Sequence, residues 1–242
     1  MSAAAGVPSD LDPDVLAQAL PGRPVRSYPA LLSTDADAQA WARTGASAGA
    51  VVVADYQASP RGRGGLPWTV RPGAGLGFSL VLRPQLPSAR EGWLYLPLGC
   101  ALLDAMQQAA SVAWPDQVQG PERPLARFGI HAELGQRGVD WAVATVLIED
   151  ANPPRAPLLA RVVAAIERRM SQEPEGVLAD YRQRCATIGQ EVRARMIPLG
   201  PAGPVVTGHA ASVLSDGSLV LRTERDRRVA VRPQNLGLLE AI

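Results

Sequence analysis

The chain has 242 residues, 47% of them hydrophobic and 19% charged, with a formal net charge of +1, the profile of an ordinary globular protein. That balance lacks the clustered positive field of a nucleic-acid partner, and the best apolar run, Ala48 to Ala54, is too short to span a membrane. The start, MSAAAGVPSDLD, lacks a basic leader, and the two cysteines, Cys100 and Cys185, stand far apart, so free thiols in a cytoplasmic protein are expected.

Residues 1–11 are small and polar and are expected to be loose. Asp12-Pro13 is an N-cap followed by proline in the first helical turn, opening a short helix through Leu20. Asp35 to Arg43 is expected to form a second helix, closed by Gly45. The β-branched run Ala50 to Tyr56 predicts a strand buried on both faces, and Leu76 to Arg83 predicts another. Between them Gln57 to Gly75, QASPRGRGGLPWTVRPGAG, is too rich in glycine and proline for regular structure. Pro97 to Ala109 carries Leu98, Leu102 and Met106 on one helical stripe. Arg127 to Leu134 and Val139 to Ile148 predict an antiparallel pair around a Gly135–Gly138 turn. Two amphipathic helices follow, Pro157 to Met170 and Glu175 to Ile188. After Gly189 come five short strand-like pieces, punctuated by Gly200-Pro201, Gly203-Pro204, Asp216-Gly217 and Arg227-Arg228, the pattern of a small β-barrel. The expected organisation is an N-terminal segment 1–24, an α/β (α+β) domain 25–190 built on a mixed central sheet with helices mainly on one side, and a barrel 191–242. A barrel that small leans on its neighbour. No internal repeat is visible.

A strand feeding a glycine-rich, arginine-bearing loop suits an anion. Glycine amides can approach a phosphate closely, and guanidinium groups bind it bidentately. The same composition also suits a solvated surface connector. The loop has neither the Gly-Lys-Ser/Thr ending of a Walker loop nor the helix of a dinucleotide fingerprint. All 24 basic residues are arginine, as mutational bias would produce, so the chain has no lysine amine for Schiff-base or acyl-lysine chemistry. His131 and Glu133 share a strand face but lack a third ligand, which favours a structural role and no metal. Cys185 lies on an apolar helical stripe. Cys100 could in principle be a thiol nucleophile, yet no base is paired with it in the sequence. Trp41, Trp93 and Trp141 are expected to pack in the core, and Arg225, Arg227 and Arg228 to form a solvated turn.

Asp55-Tyr56-Gln57, Arg61-Gly62-Arg63-Gly64-Gly65, Trp68, Gly73-Ala74-Gly75-Leu76 and Phe78-Ser79-Leu80 together resemble the adenylate-binding segment of the biotin protein ligase family, in the biotin/lipoate A/B ligase superfamily. Further pieces fall in the family's order over about residues 25 to 240: Ser33-Thr34, Trp114-Pro115, Tyr181 to Cys185, Thr187-Ile188-Gly189, Gly208-His209-Ala210 and Asp216 to Leu219. The resemblance implies a C-terminal SH3-like barrel and a lid, 57–76, that orders over biotinyl-adenylate made from biotin and ATP with Mg²⁺. It implies transfer to a lysine on a biotin carboxyl-carrier domain, and it allows a homodimer. By analogy Arg63 meets the adenylate phosphate as the catalytic cation. Ser33, Thr34 and Gln57 hold biotin, Arg61, Gly62, Gly65 and Trp68 form the lid, and Trp114 lines the site. The segment 1–24 is too short for a winged-helix domain, so no repressor role is expected. The departures are chemical. The family's catalytic lysine is Ala113, its neighbouring asparagine is Asp116, and Pro60 and Leu66 replace a glycine and an arginine of the lid. Besides an active ligase, the pattern therefore admits a catalytically degenerate ligand- or partner-binding paralogue, or a ligase-like enzyme for a related carboxylic acid such as lipoate or octanoate.

Overall fold

A seven-stranded mixed sheet organises the computed structural model, which describes residues 9–68, 73–106, 108–151, 154–199 and 203–242. Its strands are β1 (Val25–Leu31), β2 (Val51–Gln57), β3 (Leu76–Leu82), β4 (Ser111–Ala113), β5 (Gln117–Gln119), β6 (Pro124–Gly135) and β7 (Gly138–Ile148). Their spatial order is β1-β2-β3-β7-β6-β5-β4. β1 and β2 run parallel, and the other neighbours are antiparallel. β1, β4 and β5 went unforeseen in the sequence. Pro29 interrupts β1, and three-residue strands show no period.

Side-chain alternation assigns the two faces of the sheet. Leu76, Phe78, Leu80 and Leu82 of β3 point to the main core, with Ala142, Ala144, Val146 and Ile148 of β7. There they meet α3 (Tyr95–Met106) and α4 (Arg155–Met170), with α1 (Pro13–Ala19) and α5 (Pro174–Arg184) completing the layer. The opposite face carries α2 (Thr34–Arg43), whose Ala38 and Ala42 pack on Val52, Val81 and Val143. Small side chains let α2 lie close to the sheet, so polar residues at its first turn stand directly over the strands. No helix among the described residues is long and apolar enough to cross a membrane.

The five pieces after Gly189 are strands β8 (Glu191–Met196), β9 (Val205–Val213), β10 (Leu219–Arg222), β11 (Arg228–Val231) and β12 (Leu236–Ala241). They form a five-stranded antiparallel sheet in the order β11-β10-β9-β8-β12. Among the described residues no ladder joins β11 to β12.

The N-terminal segment is less loose than its composition suggests. Residues 1–8 lie outside the described residues, but from Ser9 onward the chain is pinned. Ser9 Oγ donates to Asp55 Oδ2 at 2.8 Å, and Leu11 is buried. Arg155, 4% exposed at the start of α4, pairs with Asp10 at 2.6 Å and with Asp55, and it also reaches the carbonyl oxygen of Gly75. One guanidinium thus ties the N-terminal segment, β2 and the approach to β3. Replacing it by an apolar chain would strand two part-buried carboxylates. Arg155→Met is therefore expected to lower unfolding free energy by about 3–5 kcal/mol, read by urea denaturation; a change within 0.5 kcal/mol, the ordinary scale of surface substitutions, would contradict this.

Candidate functional site

β2 ends at Gln57 and hands the chain to a strap that folds back on itself. Gly62 N donates to Leu66 O at 2.8 Å, Gly65 N to Gly62 O at 3.1 Å, and Trp68 N to Pro60 O at 3.1 Å. Arg61 and Pro67 form an isolated bridge, and Arg61 Nη1 donates to Gly65 O at 3.0 Å. The segment expected to be irregular is thus an ordered turn over residues 60–68; Thr69 to Pro72 lie outside the described residues. Glycine is required here on two grounds. Gly64 and Gly65 have φ of +61° and +73°, a region that side-chain-bearing residues rarely adopt. At Gly62 a Cβ would fall 1.8 Å from Trp68 Nε1. Trp68 closes the strap by packing on its own Gly62. The strap also rests on the sheet, where a Cβ on Gly129 of β6 would stand 2.6 Å from Arg63 N.

Arg63, expected on an adenylate phosphate, is 4% exposed. Its Nε donates to Asp116 Oδ2 at 2.8 Å. Its Nη1 donates to the carbonyl oxygens of Leu236 and Pro233, and Nη2 to that of Gly237. A buried cation requires a counter-charge and acceptors for its remaining N–H groups. Asp116 supplies the first and the C-terminal sheet the second.

The strap separates two hollows. On one side lies a cavity of about 260 Å³, roofed by Gly62, Gly64 and Gly65 and lined by Asp35, Gln39, Tyr95, Gly129, His131 and Thr145. On the other lies an open groove of about 750 Å³, bounded by Arg63, Trp68, Ala113, Trp114, Asp116 and Arg127, with Leu236 to Leu239 of the C-terminal sheet opposite. Trp114 is held there by its indole N–H, which donates to Gly217 O at 2.9 Å.

Ser33, Thr34 and Gln57 come together behind the cavity wall. Ser33 caps α2, accepting from Ala36 N at 3.4 Å. Thr34 donates to Gln57 Oε1 from both its N and Oγ1, at 2.8 and 3.0 Å. Register aligns Ser79, Thr145 and Gly129 across β3, β7 and β6. A polar chain runs along that row: Gln57 Oε1 to Thr34 Oγ1, to Ser79 Oγ at 3.0 Å, to Thr145 Oγ1 at 2.8 Å, to Asp35 Oδ1 at 3.1 Å. Asp35 accepts from Thr145 Oγ1 and, at 2.7 Å, from Gln39 Nε2. Burial, outweighing those hydrogen bonds and the nearby His131, raises the Asp35 pKa above its ordinary value.

Other candidates resolve plainly. Cys100 is fully buried, and desolvation pushes its thiol up to about 12, which suits core packing and not nucleophilic attack. His131 stacks on Trp141 with ring centroids 5.6 Å apart. Among the described residues no group of three or more His, Cys, Asp or Glu could hold a metal ion. Sequence reasoning missed Asp35, Gln39 and Thr145. Asp35 directly follows the Ser33-Thr34 pair, and Thr145 is a polar residue inside the apolar run of β7; those were the available signals.

No family model matches the chain. A biotin--[acetyl-CoA-carboxylase] ligase of Mycobacterium tuberculosis is 33% identical over 217 residues, spanning 78% of this chain and 79% of that protein. A bifunctional ligase/repressor of Bacillus subtilis is 32% identical over 224 residues, spanning 80% of this chain and 67% of its own length. The structure of biotin protein ligase from Aquifex aeolicus in complex with biotin and ATP superposes with a TM-score of 0.68 at 20% identity, covering 90% of this chain and 99% of that one. A biotin protein ligase-like protein of unknown function from a Silicibacter species gives the same TM-score, 0.68, at 17% identity, covering 88% of this chain and 96% of that one. The structural likenesses speak for the fold, and the identity to the mycobacterial ligase over most of both chains speaks for descent: this chain belongs to the biotin protein ligase family.

Proposed function

We propose that this chain binds biotin in the 260 Å³ cavity and holds biotinyl-adenylate across the strap, with the nucleotide portion in the groove. The observation that carries the reading is the strap itself, whose glycines 62, 64 and 65 roof the cavity while Arg63 and Trp68 face the groove. A roof of bare backbone excludes water from a hydrolysable acyl phosphate without filling the space beneath it. The family relatives, named as biotin ligases, and the neighbour solved with biotin and ATP support the choice of ligand. Asp35, Gln39 and Thr145 would meet the polar ring end of biotin. Ser33, Thr34 and Gln57 would hold those groups in place, and Ala113, Trp114 and Trp68 would border the adenylate. In the reaction, with ATP and Mg²⁺ as co-substrates, a biotin carboxylate oxygen bonds to the α-phosphorus and pyrophosphate leaves. A carrier-domain lysine amine then bonds to the acyl carbon and AMP leaves. The chain supplies no lysine to either step, and the acceptor comes from the carrier. We further propose a division near Gln190, with the C-terminal sheet acting as an SH3-like barrel that clasps the strap.

One observation favours a second reading, a ligand-binding paralogue without turnover. The Arg63 charge is already matched by Asp116, and Ala113 offers no cation. Carrier-domain biotinylation with ATP and Mg²⁺ separates the two: transfer supports the ligase, whereas biotin binding without transfer supports the paralogue.

Isothermal titration tests the ligand. Biotin is expected to bind, biotinyl-AMP to bind more tightly, and lipoate and octanoate to give weaker heats; absence of biotin binding would end the biotin reading. Gly129→Ala sets a methyl against the strap backbone and is expected to weaken biotin binding by about 1–3 kcal/mol while far-UV circular dichroism stays unchanged. Unaltered affinity would show that the strap does not close the cavity. The raised Asp35 pKa predicts a pH dependence of stability. Above the usual carboxylate range the folded chain keeps a proton that the unfolded chain releases. That contribution is complete below the unfolded pKa and is lost as pH rises through the folded one. Asp35→Asn, neutral at every pH, is expected to flatten that loss and raise the Tm at pH 7; a Tm–pH profile identical to that of the parent would rule this out.

A further inference from the structure

Among the described residues lining the groove, Arg63 and Arg127 are the cations and Asp116 is the carboxylate. Arg63 is committed: Asp116 balances its charge, and carbonyl oxygens of Pro233, Leu236 and Gly237 take its N–H groups. Arg127 is not. Its side chain is 46% exposed, and its ion pair with Glu149 spans 3.6 Å, beyond hydrogen-bond length.

Register fixes where Arg127 stands. Ala113 pairs with Gln117, and Gln117 with Arg127, so the three form one row across β4, β5 and β6. The adjacent row, Val112, Val118 and Ala126, is fully buried in the core. By alternation, Ala113, Gln117 and Arg127 project the other way, into the groove that they line. Along β6 the same face continues through Gly129, on which the strap rests, to His131 in the cavity wall. Arg127 therefore stands at the groove end of the strip that passes beneath the strap. Ala113 lies two strand spacings away, roughly 10 Å, and offers only a methyl to the groove that it lines.

We propose that Arg127 binds the phosphate of the acyl-adenylate, leaning over Gln117 from the groove side; this rests on the biotin reading above. An adenylate joined to an acyl group in the cavity brings one anionic phosphate to the strap's edge, where Arg63 has no charge to spare. A guanidinium reaching in from β6 can pair with two phosphate oxygens at once. Among the described residues, the contact to be broken first is the loose one with Glu149.

The test is isothermal titration of the full chain with biotin and with biotinyl-AMP, for wild type, Arg127→Ala, Arg127→Lys and the double variant Arg127→Ala with Ala113→Lys. Arg127→Ala is expected to leave biotin affinity unchanged and to weaken biotinyl-AMP by about 10–100-fold, the scale of a hydrogen bond to a charged group. Arg127→Lys should keep part of that affinity. The double variant should recover it, since a lysine at position 113 rises from the same row. Equal biotinyl-AMP affinity in wild type and Arg127→Ala, with biotin still binding, would overturn the assignment alone. Wild-type protein that binds neither compound would overturn the biotin reading and this assignment with it.

Discussion

Taking a guanidinium out of water costs several kcal/mol unless charge and hydrogen bonds are restored around it, and the arrangement of this protein around its strap follows from that requirement at Arg63. The counter-charge comes from Asp116, at the turn between β4 and β5, and the neutral acceptors come from the C-terminal sheet and the turn before β12. Strap, central sheet and C-terminal sheet therefore meet on one side chain. Lifting the strap would leave Asp116 without its partner at the groove and withdraw the guanidinium N–H groups from the carbonyl oxygens of Pro233, Leu236 and Gly237. The closed arrangement is thus held by the protein's own groups. The substitution that looks unfavourable for phosphate chemistry, Asp116, is the one that stabilises the closed strap.

Thin packing is the complementary constraint. Gly62 accommodates the Trp68 ring and Gly129 accommodates the Arg63 backbone, so the strap approaches the sheet more closely than side-chain-bearing residues would allow. Under it, the hydroxyl row from Thr34 to Thr145 is linked internally and ends at Asp35. The cavity thus presents a carboxyl and an amide at its polar end, backed by groups whose orientations are already set. Such a site can recognise a neutral ligand group that both donates and accepts hydrogen bonds, without reorganising on binding. The Arg63–Asp116 ion pair lies on the other side of the strap, at the groove.

Much of this was legible in the residues, for identifiable reasons. Asp12-Pro13 marks the first helix, the apolar runs mark β2, β3 and β7, and the order of the glycine-arginine segment locates the strap. β1 escaped notice because Pro29 and its half-buried pattern lack a strand's alternation, and β4 and β5 because three residues carry no period. At the site, motif order could bring Thr34 and Gln57 into one neighbourhood but could not show that they bind each other, since that depends on the approach of α2 to the sheet. Arg63 finds its carboxylate 53 residues further along the chain and its carbonyl partners 170 to 174 residues away. No local spacing encodes such a contact. Asp116 was visible as a departure from the family pattern, yet its sign could be judged only once its partner was known.

Amide hydrogen exchange in the ligand-free protein tests the central claim, a strap closed by its own buried cation. The amides of Gly62, Gly65, Leu66 and Trp68, each donating to a strap carbonyl, are predicted to exchange slowly without biotin and to lose that protection in Asp116→Ala. Exchange at the rate of an unstructured peptide in the unliganded wild type would contradict the account.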